Sequence, residues 1–401
     1  MKKLVSFMLV AAMVAATLTG CGSSDNAKST EAAGESSAAA GTTFKIGGIG
    51  PVTGGAALYG LAVQRGAQIA VDEINAAGGI NGTQIEFNFQ DDEADAEKSV
   101  NAYNSLKDWG MQMLMGTVTS TPCVSVAAKT AEDNMFQLTP SGSSVECVQN
   151  DNAFRVCFSD PDQGKKSAQY IGEHKLATKV AVIYDSSDTY STGIYESFKS
   201  EAANQGIEVV AEGAFTADNK TDFSVQIQKA KDAGAELVFL PIYYQEASLI
   251  LAQANKAGFT PKWFGCDGMD GILDLDGFDA SLAEDLMFLT PFTANATDEA
   301  TQKFVADYKE AFGDTPIQFA ADAYDCVYVI KAAAEKEDVT PDKSVSDICD
   351  ALKKGMTEIT YDGLTGKSIT WSEDGEPTKE PTVVVVKSGE YQVLQAEDAA
   401  E

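Results

Sequence analysis

Gly116-Thr-Val-Thr-Ser120-Thr-Pro-Cys123, followed by Phe136-Gln-Leu-Thr-Pro140-Ser-Gly-Ser143, is the stretch that decides the fold of this chain. Each half has the pattern of a buried strand ending in small hydroxyl residues, and the first half leads into a helix predicted over Val124–Asp133. Strand ends that lead into helix N-termini present unpaired backbone N–H groups beside hydroxyls, which suits a small anion such as a carboxylate. Taken alone, Ser120 and Ser143 fit helix caps and turns better, so the remainder of the chain has to decide.

The composition is that of an acidic chain long enough for two or three domains. It has 401 residues, 44% of them hydrophobic, and a formal net charge of −31 from 29 basic and 60 acidic residues. This charge argues against nucleic acid as a partner and against a basic membrane-binding patch. No C-x-x-C or Cys/His spacing indicates a metal site, and His174 is the only histidine. We therefore predict no metal and no cofactor.

The N-terminus has the pattern of an export signal. Lys2 and Lys3 precede the apolar run Leu4–Leu18, and Leu18-Thr-Gly-Cys21 follows with small residues at a cleavage site. The run is short for a transmembrane helix, which needs about 20 apolar residues. Cysteine directly after Leu-Thr-Gly resembles a bacterial lipobox, which implies a signal peptide over residues 1–20 and lipidation of Cys21. The alternative is an ordinary cleaved signal followed by a chance cysteine.

Residues 21–43 are predicted to be the lipidated cysteine followed by a flexible tether. The tether is predicted because the segment is rich in Ser, Ala, Gly and Glu and has no apolar periodicity. The acyl chains would hold the protein at the outer face of the cell membrane. Six further cysteines occur later in the chain. Cys147 and Cys157 are the local candidates for a disulfide, and buried free thiols are the alternative.

From Phe44 onward, short apolar runs alternate with helical periodicity. The strand predicted over Phe44–Ile49 is followed by a helix over Tyr59–Ala77, and the alternation continues to Leu138. It restarts at Phe154. We predict an α/β fold of two doubly wound parallel-sheet lobes joined by hinge strands, rather than one wide sheet.

The C-terminal part adds helices and strand-like segments. Helices are predicted over Asp298–Phe312 and Gln318–Lys336, and strands over Ser368–Trp371, Thr382–Lys387 and Tyr391–Leu394. The predicted domains are residues 44–160 with 291–376 for lobe 1, 161–290 with 377–396 for lobe 2, and a disordered tail at 397–401.

Enzyme motifs are missing from the sequence. There is no G-x-S-x-G, the glycines of Gly48–Gly54 do not form G-x-G-x-x-G, and His174 lies at a polar helix end. An exported α/β hydrolase is therefore disfavoured, and we predict no catalytic residue and a protein that is not an enzyme. In open α/β sheets ligands bind beyond the carboxyl ends of strands, so two facing lobes would form a cleft there. Among the segments that follow the predicted strands, Asp267 is the acid we expect in this cleft.

Together these segments resemble the branched-chain amino-acid (Leu/Ile/Val) binding proteins of ABC importers, of the type I periplasmic-binding class. The resemblance covers essentially all of residues 44–396. The motifs that carry it are Gly50-Pro-Val-Thr-Gly54, Tyr59-Gly60, Ile74-Asn-Ala-Ala-Gly-Gly-Ile80-Asn-Gly82, Gln90-Asp-Asp92, Gly116 with Ser120-Thr, Thr139-Pro-Ser, Asp185 with Tyr190-Ser-Thr-Gly193, and Ala252-Gln-Ala-Asn-Lys-Ala-Gly258.

The resemblance implies a ligand site made by Ser120, Ser141, Ser143, Asp267, Tyr59, Tyr190 and Tyr243. Ser120 and Ser143 would bind the α-carboxylate of a free amino acid. The Ser141 carbonyl and Asp267 would bind its α-ammonium, and the three tyrosines would wall the pocket. Hydroxyl and N–H donors for the anion and a charged acceptor for the cation agree with this assignment.

The chain departs from the family at several of these positions. Asp267 stands where the leucine-binding members carry Glu, Ser143 replaces Thr, and Pro241–Tyr244 is bulkier than the family's glycine-rich turn. Leucine specificity therefore does not carry over. The resemblance implies a monomer that captures an aliphatic amino acid and delivers it to ABC permease subunits, anchored to the membrane through Cys21. A ligand-binding sensory component for amino acids or small carboxylates or amides is the alternative with the same fold.

Overall fold

The computed structural model describes residues 43–394 as two β-sheets with helices packed on their faces. The predictions for the signal peptide, Cys21, the tether and the tail at 397–401 lie outside the described residues. The strands are β1 (Phe44–Gly50), β2 (Ile85–Asp91), β3 (Met113–Gly116), β4 (Gln137–Thr139), β5 (Ala153–Arg155), β6 (Lys179–Asp185), β7 (Glu208–Phe215), β8 (Leu237–Leu240), β9 (Lys262–Gly265), β10 (Met287–Thr290), β11 (Thr382–Lys387) and β12 (Glu390–Val393).

The helices follow the strands as the alternating pattern predicts. They are α1 (Ala57–Ala76), α2 (Ala96–Trp109), α3 (Ser120–Asp133), α4 (Asp160–Glu173), α5 (Thr189–Ala202), α6 (Ser224–Asp232), α7 (Tyr244–Lys256), α8 (Glu299–Phe312), α9 (Gln318–Lys336) and α10 (Val345–Glu358).

The first sheet has five parallel strands in the order β2-β1-β3-β4-β5. Its central strand β3, Met-Leu-Met-Gly, is buried throughout, as expected for a parallel strand covered on both faces. The second sheet has seven strands in the order β12-β11-β10-β9-β8-β6-β7 and is mixed, because β11 and β12 run antiparallel. The prediction of two α/β lobes is confirmed, with this antiparallel edge added to the second.

Helices α8 to α10 pack in the first lobe although in sequence they lie between β10 and β11 of the second sheet. Helix α9 lies along α1, and the contact depends on Gly66, because a Cβ there would lie 2.0 Å from the Ala320 carbonyl oxygen. Any side chain at this position would push the two helices apart.

Three segments, residues 156–159, 291–298 and 372–381, connect the two lobes. Lys379 of the third crossing is buried and pairs with buried Asp322 of α9 at 3.0 Å. Its ammonium also donates to the Val156 carbonyl of the first crossing at 3.0 Å and to Thr365 Oγ1 at 2.7 Å. This one cation therefore ties two crossings to a helix of the first lobe.

Two local predictions are wrong. Helix α3 begins at Ser120 rather than Val124, because Pro122 needs no N–H acceptor in a first turn and its fixed φ suits a helix there. Ser368–Trp371 is not a strand, and it forms only the isolated bridges Tyr361–Ile369 and Trp371–Pro377. Pro377 has no N–H to extend a ladder, so the pairing stays local.

The cysteines within residues 43–394 are buried free thiols, so Cys147 and Cys157 are not joined. In the same range no helix has the length and apolar character needed to cross a membrane. Nor do the described side chains form a group of three or more His, Cys, Asp or Glu suited to a metal ion.

Lys379→Met should lower the free energy of unfolding at pH 8 by about 3–5 kcal/mol, because it leaves the Asp322 carboxylate buried without its partner. Chemical denaturation measures the change. Lys166→Met is the matched control, since Lys166 pairs with exposed Glu380 and such a pair contributes about 0–1 kcal/mol. Equal losses in both variants would contradict the assignment.

Candidate functional site

A narrow, mostly buried cavity lies between the two lobes. It is lined by Tyr59, Val118, Thr119, Ser120, Ser141, Tyr190, Tyr243, Asp267, Gly268 and Phe319. Six of the seven residues expected at the ligand site are therefore brought together around one space, and Ser143 is the one that does not line it. The carboxyl ends of β3 and β4 supply one side, and the segment after β9 supplies the other.

Ser120 is the first residue of α3, so its hydroxyl lies at a helix N-terminus, where backbone N–H groups lack intrahelical acceptors. Its Oγ accepts the backbone N–H groups of Ser143 and Ser144, both at 3.2 Å. With these two bonds on the oxygen, the O–H is left as a donor. This end of the cavity can therefore bind an anion.

The Ser141 hydroxyl donates to the Val118 carbonyl at 2.7 Å, which fixes the turn after β4. The Ser141 carbonyl itself accepts none of the hydrogen bonds between described residues, so it is available as an acceptor. The predicted use of this carbonyl, rather than the hydroxyl, is compatible with that geometry.

Ser143 lies behind the cavity wall. Its backbone N–H orients Ser120, and its carbonyl accepts a hydrogen bond from the Arg155 guanidinium. Its hydroxyl has no hydrogen-bond partner among the residues described, and it lies beside Asp160. Burial raises the pKa of Asp160 well above its usual range, and the positive charge of Arg155 opposes the shift.

Arg155, at the end of β5, is fully buried and joins three segments. Its guanidinium donates to the carbonyls of Gly142 and Ser143 and to Glu376 Oε1, the last at 3.0 Å. Its own carbonyl accepts Trp371 Nε1 at 2.7 Å. The turn beside Ser120 and the third crossing between the lobes therefore share one cation.

Asp267 begins a short 3-10 turn after β9 and faces the cavity from the second lobe. Burial raises the pKa of Asp267 to about 6, and the hydrogen bond from Tyr190 limits the rise. The Tyr190 hydroxyl donates to Asp267 Oδ1 at 2.7 Å and accepts the Gly268 N–H at 3.0 Å. A buried carboxylate with spare acceptor positions is suited to a cation.

The aromatic wall is held rigidly. The Tyr59 hydroxyl donates to the Gly268 carbonyl at 2.5 Å and accepts the Tyr244 N–H at 3.2 Å. The Tyr59 ring packs on Phe319 with centroids 4.2 Å apart, and the Tyr190 ring stacks on Tyr243 at 4.9 Å. Phe319 was not expected at the site, because in sequence it belongs to the apolar face of α9.

The chain matches a known protein family over almost all of the described residues. The model of the periplasmic binding protein family matches residues 43–390. The chain belongs to the periplasmic binding protein family. The predicted resemblance is thus confirmed, and membership of a family that binds solutes agrees with the prediction that the protein is not an enzyme.

Individual relatives of the family are similar along most of their length. The Leu/Ile/Val-binding protein homolog 3 of Brucella melitensis is 31% identical over 336 residues, which are 82% of this chain and 88% of that protein. The leucine-, isoleucine-, valine-, threonine- and alanine-binding protein of Pseudomonas aeruginosa is 29% identical over 325 residues, covering 80% of this chain and 85% of that protein.

Solved structures of the family share the fold. The substrate-binding protein LivJ of Streptococcus pneumoniae in complex with isoleucine has a TM-score of 0.79 and 29% identity, covering 88% of this chain and 99% of its own. The leucine-binding protein LivK of Thermotoga maritima has a TM-score of 0.79 and 27% identity, covering 88% and 98%.

Tyr190→Phe should raise the pKa of Asp267 above its value of about 6, because the Tyr190 hydroxyl stabilises the charged carboxylate. NMR titration of the ¹³C-labelled aspartate carboxyl groups measures the shift. Tyr195→Phe, which removes a hydroxyl from a half-exposed pair with Glu212, is the control and should leave Asp267 unchanged. A lower pKa in Tyr190→Phe would contradict the hydrogen bond.

Proposed function

We propose that this protein is an extracytoplasmic solute-binding lipoprotein of an ABC importer, which captures an aliphatic, branched-chain-like amino acid in the cavity between its lobes. One observation carries the proposal: Ser120 at a helix N-terminus and the carboxyl group of Asp267 line the same cavity. A free α-amino acid presents a carboxylate and an ammonium group only a few bonds apart. The helix N-terminus at Ser120 suits the carboxylate, and Asp267 suits the ammonium.

In this proposal the α-carboxylate accepts hydrogen bonds from the Ser120 hydroxyl and from N–H groups of the first turn of α3. Ser143 acts at the same end, through the backbone N–H that orients the Ser120 hydroxyl. The α-ammonium donates to Asp267 and to the Ser141 carbonyl. Loss of water from the cavity strengthens both sets of hydrogen bonds.

The side chain of the ligand would lie against Tyr59, Tyr190 and Tyr243, with Phe319 completing the wall. Apolar, closely packed rings favour an aliphatic side chain. The similar proteins named for leucine, isoleucine and valine support this class of ligand. Asp267, shorter than the family's glutamate, and the bulky Pro241–Tyr244 turn favour a preference within the class that differs from leucine alone.

Delivery requires a partner at the membrane. The lipobox-like Leu18-Thr-Gly-Cys21 supports an acyl anchor at Cys21, and residues 22–43 would span from the anchor to the folded part. Closure of the lobes around the ligand would then report occupancy to the permease subunits of the importer.

Asp267→Asn should weaken binding of L-leucine, L-isoleucine or L-valine by more than about tenfold at pH 7.5, because it removes the charge that pairs with the ammonium. Isothermal titration calorimetry measures the affinity, the stoichiometry and, with product analysis, the lack of turnover. Asp270→Asn is the matched control: Asp270 is also buried, but it accepts the Gln318 N–H at 2.7 Å and does not line the cavity. Unchanged affinity in Asp267→Asn would refute the ammonium role.

Cys21→Ser should release the protein from membranes into the soluble fraction, because it removes the thiol that carries the acyl chains. Fractionation of expressing cells, with metabolic labelling by a fatty-acid analogue, measures both attachment and modification. Cys349→Ser, which changes a buried thiol of α10, is the control and should stay attached. Continued attachment of Cys21→Ser would contradict lipidation at this residue.

A further inference from the structure

One buried hydroxyl in the cavity wall has no partner. Thr119 is 5% exposed and lines the cavity, and its Oγ1 makes no hydrogen bond with any described residue. The other buried side chains with unpartnered polar atoms in residues 43–394 do not line this cavity; they are Asp92, Ser143, Asn152, Arg155, Asp160, Gln163, Gln226 and Asp270. An orphaned hydroxyl is unfavourable in a dry interior, so it points to a missing partner.

The local structure explains why this hydroxyl is free. Thr119 is the N-cap residue of α3, where a threonine usually accepts an N–H from the second or third helical residue. The third residue here is Pro122, which has no N–H, and the Thr119 side chain makes no capping bond. Pro122 thus removes one of the two customary partners, and the Thr119 hydroxyl does not bond the other, the Thr121 N–H.

The position of the hydroxyl is fixed by its own backbone. The Thr119 carbonyl accepts the Cys123 N–H at 3.1 Å and the Thr117 hydroxyl at 3.2 Å. A β-branched side chain has little freedom about χ1, so a fixed backbone also restricts where Oγ1 can lie. The hydroxyl is therefore preorganised beside Ser120.

We propose that Thr119 is a further ligand-binding residue, whose hydroxyl donates to the ligand α-carboxylate next to Ser120. The inference rests on the proposed function, because it requires an amino acid in the cavity. Thr119 directly precedes the helix end assigned to the carboxylate, whereas Asp267 on the opposite side is assigned to the ammonium. In the bound state the orphaned hydroxyl would gain a charged acceptor.

Thr119→Val tests this assignment, since valine keeps the shape and removes only the hydroxyl. Affinity for L-leucine, L-isoleucine and L-valine, measured by calorimetry, should fall about 10- to 100-fold. The factor should be the same for all three ligands, because they share the carboxylate. Thr119→Ser restores the hydroxyl and should stay within about threefold of the wild type.

The stability of the free protein separates binding from a structural role. A helix cap would lose stability on replacement by valine, whereas an orphaned hydroxyl should leave the melting temperature of ligand-free Thr119→Val unchanged or raised. If the wild type binds these ligands and Thr119→Val binds them with the same affinity, the inference alone is overturned. It is also overturned if the loss of affinity differs among the three ligands. A wild type that binds none of the three would overturn the proposed function, and the inference with it.

Discussion

A guanidinium without exposed surface needs acceptors around it, and Arg155 finds them on separate parts of the chain. The carbonyls of Gly142 and Ser143 belong to the turn after β4, and Glu376 belongs to the third crossing between the lobes. Breaking either set would leave a cation stranded in the interior. The turn that orients Ser120 and the crossing that joins the lobes are consequently held in one arrangement by one charge.

Around Arg155, the polar groups of the cleft are hydrogen-bonded to one another before any ligand enters. Ser120 holds two N–H groups of the neighbouring turn, Tyr190 holds Asp267, and Tyr59 bridges the lobes through Gly268. What stays unoccupied is limited: the Ser120 proton, the Thr119 hydroxyl, the Ser141 carbonyl and the remaining acceptor positions of Asp267. These groups lie around a single cavity, and their signs match the two ends of an amino acid.

The sequence predicted the cleft well because the rule behind it is topological. Carboxyl ends of parallel strands meet at one edge of a sheet, so hydroxyl-rich segments after β3 and β4 had to converge whatever their detailed pairing. The start of α3 was placed too late because its first turn is polar, and apolar periodicity begins only afterwards. Phe319 was missed because an apolar helix face looks alike whether it meets core or cavity. Pro122 shows in the sequence that Thr119 lacks one capping partner, but whether another group bonds its hydroxyl depends on tertiary neighbours, which no local pattern records.

The two lobes also touch just outside the cavity, through neighbours of the residues that line it. The Leu58 N–H donates to the Tyr244 hydroxyl at 3.3 Å, and the Thr121 hydroxyl donates to Asp188 Oδ1 at 3.1 Å. Such contacts favour the closed form independently of what is inside it. Since apparent affinity scales with the fraction of protein that is competent to bind, these contacts change the apparent affinity for every ligand by the same factor. Substitutions at these contacts would thus change the ligand concentration needed for half-saturation, while the order of preference among amino acids stays the same.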